Sequence, residues 1–184
     1  MLFSVRLKGS MDSKKRMMFV LDEDYYFVTI KILTIIYFIA GFNKTFVDYR
    51  KIPFIIELDR DSKRLKLYEK AISGKSLNIF EHEELTSIYC SANLNYAMIE
   101  RVIYFLDKQN IIRVSKNNRF GCIDLELVRK AEIKDLLEDD IFNAEYRNLN
   151  VIKSNMNRIA TYKFETFISK IYGKNEVAKW EDWQ

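Results

Sequence analysis

Apolar and polar positions alternate with a helical period over most of the chain. The most apolar stretch runs from Tyr25 to Ala40, with the acidic residues Asp22-Glu23-Asp24 before it and Gly41 after it. Acidic residues favour a helix start and glycine favours a helix end, so we expect a helix here. Lys31 interrupts the stretch, which is shorter than the roughly 20 apolar residues of a membrane span. We therefore expect a central, buried helix; the alternative is an interfacial membrane anchor assisted by a basic N-terminus.

Two further helices are predicted before the middle of the chain. The first covers Asp48–Leu58, with Pro53 near its first turn and Ile52, Ile55 and Ile56 directed inward. The second lies in the charged segment that begins at Asp59, where the apolar residues at helical spacing are Leu65, Tyr68 and Ile72.

The tetrapeptide Ser73-Gly74-Lys75-Ser76 contains the Gly-Lys-Ser of a phosphate-binding loop. That motif needs a first glycine at position 69, which is Glu69 here. We therefore interpret Gly74 as the residue that ends a helix.

The segment Glu81–Leu125 has the element order of a winged helix-turn-helix. Its first helix carries a stripe at Leu85, Ile88 and Tyr89, and Ser91–Leu94 is the predicted turn, with Asn93 or Asn95 capping the next helix. The second helix has one wide apolar face, formed by Met98, Ile99, Val102, Ile103 and Leu106.

A two-stranded ribbon is predicted at residues 111–125. Its first strand is Ile111–Ser115, its turn is Lys116–Arg119 and its return strand is Phe120–Leu125. Asparagine in the turn tolerates positive φ, and Gly121 permits close approach of another backbone.

The C-terminal part is predicted to form an antiparallel pair of long helices. The first is Glu126–Ala144, capped by Asp124, and its inward residues are Val128, Ile133, Leu136, Leu137 and Ile141. The second starts near Leu149 and ends at Gly173. Trp180 and Trp183 follow, and they either pack on the core or bind another protein.

These elements predict a mainly α chain with a small β-ribbon. A winged helix-turn-helix module is flanked by an N-terminal hydrophobic helix and a C-terminal helical hairpin. The expected division is a basic N-terminal tail at residues 1–20, a helical and winged-helix domain at 21–125, and the C-terminal helical hairpin with its aromatic tail, packed on that domain, at 126–184.

The net charge of +4 comes entirely from the N-terminal tail. Residues 1–20 contain Arg6, Lys8, Lys14, Lys15 and Arg16 against Asp12 alone, which also gives +4, so the remaining residues sum to zero. The two cysteines, Cys90 and Cys122, have no metal-ligand spacing, which favours a reduced, cytoplasmic compartment.

The chain offers little for catalysis. His82 is the only histidine and lies among glutamates, without a serine or cysteine partner motif. We expect no catalytic, cofactor or metal site, and hence no enzyme.

A nucleic-acid interface has better support. We expect phosphate contacts from basic residues of the second winged-block helix and the ribbon: Arg101, Lys108, Arg113, Lys116 and Arg119. Glu100 and Asp107 share the helix surface and oppose this interpretation, so both a DNA contact and a protein contact stay open.

Four segments in order carry a family resemblance: ILTIIYFIA, KIPFIIEL, MIERVIYFLDKQNIIRVSKNNRFGCIDL and FISKIYGKNEVAKW. Over roughly residues 24–180 the chain resembles the middle components of three-component ABC-ATPase anti-phage defence systems, including the Lamassu type. The resemblance implies a non-catalytic accessory subunit of an SMC- or Rad50-like ATPase. It would bridge that ATPase, foreign double-stranded DNA and an effector such as a nuclease, with Trp180 and Trp183 as expected partner contacts. Many members have a histidine- and proline-rich middle segment that this chain lacks.

The competing hypothesis is a free-standing winged-helix transcription regulator. Such a protein would form a symmetric dimer on a palindromic site, because half-site spacing follows the two-fold axis of the protein.

Overall fold

The computed structural model describes residues 25–41 and 45–173. Helix α1 covers residues 25–35 and continues as a π-helical turn at Ile36–Ala40. The later helices are α2 (Ile52–Asp59), α3 (Ser62–Ile72), α4 (Ile79–Leu94), α5 (Tyr96–Lys108), α6 (Lys130–Leu137), α7 (Asn143–Asn155) and α8 (Phe164–Ile171). Strands β1 (Ile112–Asn117) and β2 (Cys122–Leu127) form an antiparallel sheet. The prediction of a mainly helical chain with a small β-ribbon is confirmed.

The apolar helix α1 lies in the centre of the core, as expected. Its buried apolar residues cover several sides of the helix: Val28, Ile32, Leu33, Ile35, Ile36, Ile39 and Ala40. Gly41 follows at a φ of 83°, a conformation that glycine adopts without a steric cost. Within the two described ranges, no helix is both long and apolar enough to cross a membrane.

Helices α2 and α3 form within the predicted segments, but α2 begins at Ile52, four residues after the predicted start at Asp48, and Tyr49–Lys51 forms a separate 3-10 turn. Pro53 stands in the first turn of α2, where its missing N–H costs no hydrogen bond. Asp61 caps α3 by accepting hydrogen bonds from the backbone N–H groups of Lys63 and Arg64. Gly74 follows the end of α3 at a φ of 73°, which confirms its role as the helix-ending residue.

The predicted turn between α4 and α5 is almost absent. Helix α4 runs through Ser91–Leu94, and only Asn95 separates it from α5. The backbone N–H of Asn95 still bonds to the carbonyl of Ser91, so the helical bonding continues to the junction. The Asn95 side chain does not cap α5, because it donates to Glu57 Oε1 at 3.1 Å.

The ribbon is confirmed, but it covers residues 112–127, and its turn comes two residues later than the predicted Lys116–Arg119 because Lys116 and Asn117 pair with β2. Ile112 pairs with Leu127 at its base, and Asn117 pairs with Cys122 at its tip. The Asn117 side chain accepts from the N–H groups of Arg119 and Phe120, and Gly121 takes a φ of 67°, as the turn requires. Phe46 forms an isolated antiparallel bridge to Leu125 on the outer edge of β2.

The predicted C-terminal hairpin of two long helices is wrong. Asp124 lies in β2 and caps no helix, because Leu125 and Leu127 pair with β1 residues instead of starting a helix. The first predicted helix shortens to α6, and Leu136 and Ile141, predicted to face inward, are 49% and 74% exposed. The second divides into α7 and α8.

The break between α7 and α8 has a physical cause in residues 47–51. The Val47 N–H bonds to the carbonyl of Ala160 at 2.8 Å, and the Lys51 ammonium donates to the carbonyls of Ile159 and Tyr162. These three carbonyls therefore accept hydrogen bonds from residues 47–51 and not from the N–H groups of a continued helix. The periodic residues Leu149, Ile152, Met156 and Ile159 are nevertheless all buried, as their spacing indicates.

One core joins the N-terminal and C-terminal elements. The ring of Phe54, on α2, lies 5.4 Å from the Tyr89 ring and 5.9 Å from the Tyr172 ring. Helices α2, α4 and the end of α8 therefore meet around one aromatic cluster. The basic residues 1–20 and the tryptophans Trp180 and Trp183 lie outside the described residues.

Candidate nucleic-acid interface

The exposed face of α5 combines two cations with two aromatic rings. Arg101, Tyr104, Phe105 and Lys108 follow one another at helical spacing, opposite the buried face of the helix. Tyr104 is 65% exposed and Phe105 is 55% exposed. The Lys108 ammonium lies 5.1 Å from the centre of the Tyr104 ring, a cation–π distance. The predicted residues Arg101 and Lys108 therefore share one surface.

A cleft runs between this face of α5 and the first turns of α1. It has a volume of about 380 Å³ and is lined by Tyr25, Tyr26, Thr29, Arg101, Val102 and Phe105. Tyr26 is 73% exposed. The sequence did not single out this cleft, because its two walls are about 75 residues apart in the chain.

The two acidic residues of α5 lie beside Tyr104, on the side of the helix away from Phe105. At about 100° per residue, Glu100 and Asp107 lie about 140–160° around the helix from Phe105. Glu100 accepts a hydrogen bond from the Tyr49 hydroxyl at 2.6 Å, and Asp107 accepts one from the backbone N–H of Val114 at 3.1 Å. Both carboxylates thus hold neighbouring segments, and neither lines the cleft.

The other predicted basic residues lie on different parts of the ribbon. Because successive side chains of a strand point to opposite faces, Arg113 and Lys116 lie on opposite sides of β1. Arg113 pairs with Glu126 at 3.5 Å, which partly neutralises it. The guanidinium of Arg119, in the turn, lies 5.1 Å from the centre of the Phe120 ring. The five predicted residues are all exposed, but they do not form one continuous surface.

A buried polar cluster, which the sequence did not indicate, positions the ribbon. Asp124 Oδ1 accepts from the backbone N–H of Asp48 at 3.0 Å, and its Oδ2 accepts from the Asn117 side chain at 2.8 Å. Asp48 in turn accepts from Arg50 and from the N–H of Phe164. Burial opposes ionisation of Asp48, but these hydrogen bonds outweigh it and lower the pKa of its carboxyl group.

Lys51 is the most deeply buried cation of this cluster. Its side chain is fully enclosed, and its ammonium donates to the carbonyls of Ile159 and Tyr162 and lies 4.6 Å from the Phe46 ring centre. Burial lowers the pKa of Lys51 to about 7. A lowered lysine pKa is common at catalytic sites, but here the donors bond to backbone carbonyls, which is a structural arrangement.

A larger cavity, of about 570 Å³, lies where α1, α2, α5 and α7 meet. Lys31 and Asp59 contribute to its wall and form an ion pair of 2.6 Å. Burial raises the pKa of Asp59, and its Oδ1 has no hydrogen-bond partner among the described residues. The Asp59 carboxylate is fully buried, however, so it presents no accessible acceptor to a ligand. Across residues 25–41 and 45–173, no group of three His, Cys, Asp or Glu side chains is placed to hold a metal ion.

Comparison with known proteins finds no matching family model, no matching curated protein and no matching solved structure.

Proposed function

We propose that this chain is a non-catalytic binding subunit that contacts nucleic acid through the exposed face of α5. The observation that carries the proposal is the presence of Arg101 and Lys108 on one face with Tyr104 and Phe105, while Glu100 and Asp107 accept hydrogen bonds from neighbouring segments and do not line the cleft. Cations bind phosphates, and exposed aromatic rings provide contact area for bases or for protein.

The order of elements supports a winged-helix type of interface. Helices α4 and α5 are followed directly by the ribbon, and the Phe46 bridge adds a third extended segment to β2. In winged-helix proteins the helix before the ribbon enters a groove and the ribbon lies beside it. Arg101 and Lys108 would then contact one stretch of backbone, and Lys116 and Arg119 another.

The role in a larger assembly follows the accessory-subunit function that the resemblance implies. In this proposal the chain bridges an SMC-like ATPase, foreign DNA and an effector in an antiviral complex. Large exposed apolar side chains on α4 support a protein contact: Ile79, Phe80 and Leu94 are 74%, 79% and 84% exposed. Ile79 and Phe80 are adjacent in the first turn of α4, and contiguous exposed apolar groups are a feature of surfaces that bind a partner.

Nucleic-acid binding at different salt concentrations tests the proposal. Replacing Arg101 and Lys108 with Gln should weaken binding and reduce the slope of log affinity against log salt by about 0.7–0.9 per lost phosphate contact, depending on the form of the nucleic acid. The matched control replaces Lys63 and Lys66, two exposed lysines on α3, with Gln. An equal loss in both double variants would mean that only net charge matters, and the α5 interface would be rejected.

A free-standing winged-helix regulator is the second candidate, because the order α4, α5, β1, β2 fits it equally well. The two functions differ in symmetry. A regulator should sediment as a dimer and bind a palindrome, whereas the subunit should sediment as a monomer until its partners are added.

A further inference from the structure

The α1–α5 cleft presents aromatic rings to solvent from both of its walls. Tyr25 and Tyr26 form one wall, Phe105 forms the other, and Tyr104 lies next to Phe105 on the same helix face. Tyr26, Tyr104 and Phe105 are each more than half exposed. Rings with open faces on two sides of one cleft are suited to hold flat groups by stacking.

Charge differs between the two walls. Arg101 lines the cleft from α5, and Lys108 continues the basic edge along the same helix. On the α1 side, the lining residues Tyr25, Tyr26 and Thr29 carry no charge. A polyanion backbone is therefore attracted to the α5 edge of the cleft.

The aromatic walls add little to the binding of a duplex. In a double helix the base faces are stacked on one another, so Tyr26 and Phe105 have no base face to contact. The ribbon cations Arg113 and Lys116, which would extend a duplex footprint, lie on opposite faces of β1. A single strand offers each base face freely, and stacking on an aromatic side chain contributes about 1–3 kcal/mol per base.

We infer that the α1–α5 cleft binds single-stranded nucleic acid. Its bases stack between Tyr26 and Phe105, and its phosphates follow Arg101 and Lys108 along the outer edge of α5. The inference rests on the proposed nucleic-acid contact by α5 and adds the form of nucleic acid that is bound.

The test uses fluorescence anisotropy on the full chain, with a labelled single strand of about 12 nucleotides and the duplex of the same sequence. We expect tighter binding to the single strand. Replacing Phe105 or Tyr26 with Ala should weaken single-strand binding by about tenfold and leave the slope against salt unchanged, because no phosphate contact is lost. Replacing Phe80 with Ala is the control, since Phe80 is a ring on α4, away from the cleft, that is more exposed than Phe105 or Tyr26. Far-ultraviolet circular dichroism checks that each variant is folded.

The outcomes separate this inference from the proposed function. The inference is overturned if the duplex binds at least as tightly as the single strand and if replacing Phe105 or Tyr26 has no effect. The proposed α5 contact would remain in that case. The inference is also overturned if replacing Phe80 weakens single-strand binding as much as replacing Phe105 does. Absence of binding to either nucleic acid rejects the inference and the proposed contact together, and leaves the cleft as a protein-binding surface.

Discussion

At the scale of single residues, Lys51 links the beginning and the end of the described chain. Its ammonium bonds to carbonyls of the segment between α7 and α8, and Asp48 beside it accepts from the Phe164 N–H. These residues are more than 100 positions apart in the sequence. The carbonyl groups of Ile159 and Tyr162, after the end of α7 at Asn155, thus accept hydrogen bonds across the core and not from a continued helix.

The buried Lys51 should make stability depend on pH. Its pKa is about 7 in the folded chain and about 10.5 in the unfolded chain, so above pH 7 the unfolded state binds more protons. Stability should therefore rise between pH 7 and pH 9, with a slope of at most about 1.4 kcal/mol per pH unit. The measurement is the urea midpoint at several pH values within this window.

The control for this prediction compares two lysine replacements. Lys51→Met should remove the rise, because no titrating group remains at that position. Lys116→Met, at an exposed lysine, should keep it. A wild-type midpoint that is flat or falls between pH 7 and pH 9 would contradict the prediction.

At the scale of elements, the ribbon is attached to the residues before α2 by the Phe46–Leu125 bridge and by one buried carboxylate. Asp124 accepts from the Asp48 N–H and from Asn117, and it is 7% exposed. Replacing Asp124 with Ala leaves a buried N–H without its acceptor, which costs about 1–3 kcal/mol in addition to the second lost bond. We expect the free energy of unfolding to fall by about 2–4 kcal/mol, measured by urea denaturation.

Glu126 provides the matched comparison on the same face of β2. Its ion pair with Arg113 is 3.5 Å long and partly exposed, and such pairs contribute about 0–1 kcal/mol. Replacing Glu126 with Ala should therefore cost much less than replacing Asp124. Equal losses would mean that the strand itself, and not the Asp124 hydrogen bonds, determines the stability of the ribbon.

The sequence predicts well the elements whose bonding is local. The helix-ending Gly74 and the apolar face of α5 each depend on residues a few positions apart, and both are observed. It fails where distant groups compete with local ones. Asp124 has a side chain typical of helix caps, but pairing of Leu125 with Val114 and Phe46 places it in a strand. The same holds for the candidate site. The helical spacing of Arg101 and Lys108 predicts that they share a face, whereas the position of α1 beside that face depends on the tertiary fold and could not be predicted.

At the scale of the whole molecule, the apolar exposure is not uniform. The exposed aromatic residues of α1 and α5 surround the candidate cleft, whereas Ile79, Phe80 and Leu94 lie on α4 and Leu136 and Ile141 near α6. A chain with several separate apolar surfaces suits a subunit that binds more than one partner. The C-terminal tryptophans, Trp180 and Trp183, add aromatic residues of the type that dominate interface energies.

The proposed subunit role predicts that Trp180 and Trp183 help to hold the chain in its assembly. Truncating an aromatic anchor at an interface commonly costs about 2 kcal/mol or more, which is about a thirtyfold loss of affinity. Replacing both with Ala should reduce co-purification of the tagged chain with the SMC-like ATPase and leave the thermal midpoint of the isolated chain unchanged. Lys63→Ala with Lys66→Ala is the control, because it truncates two exposed side chains that belong to no proposed interface. A lower thermal midpoint in the tryptophan variant would instead assign these residues to the chain's own core. Unchanged folding with unchanged co-purification would reject any role for them in the assembly.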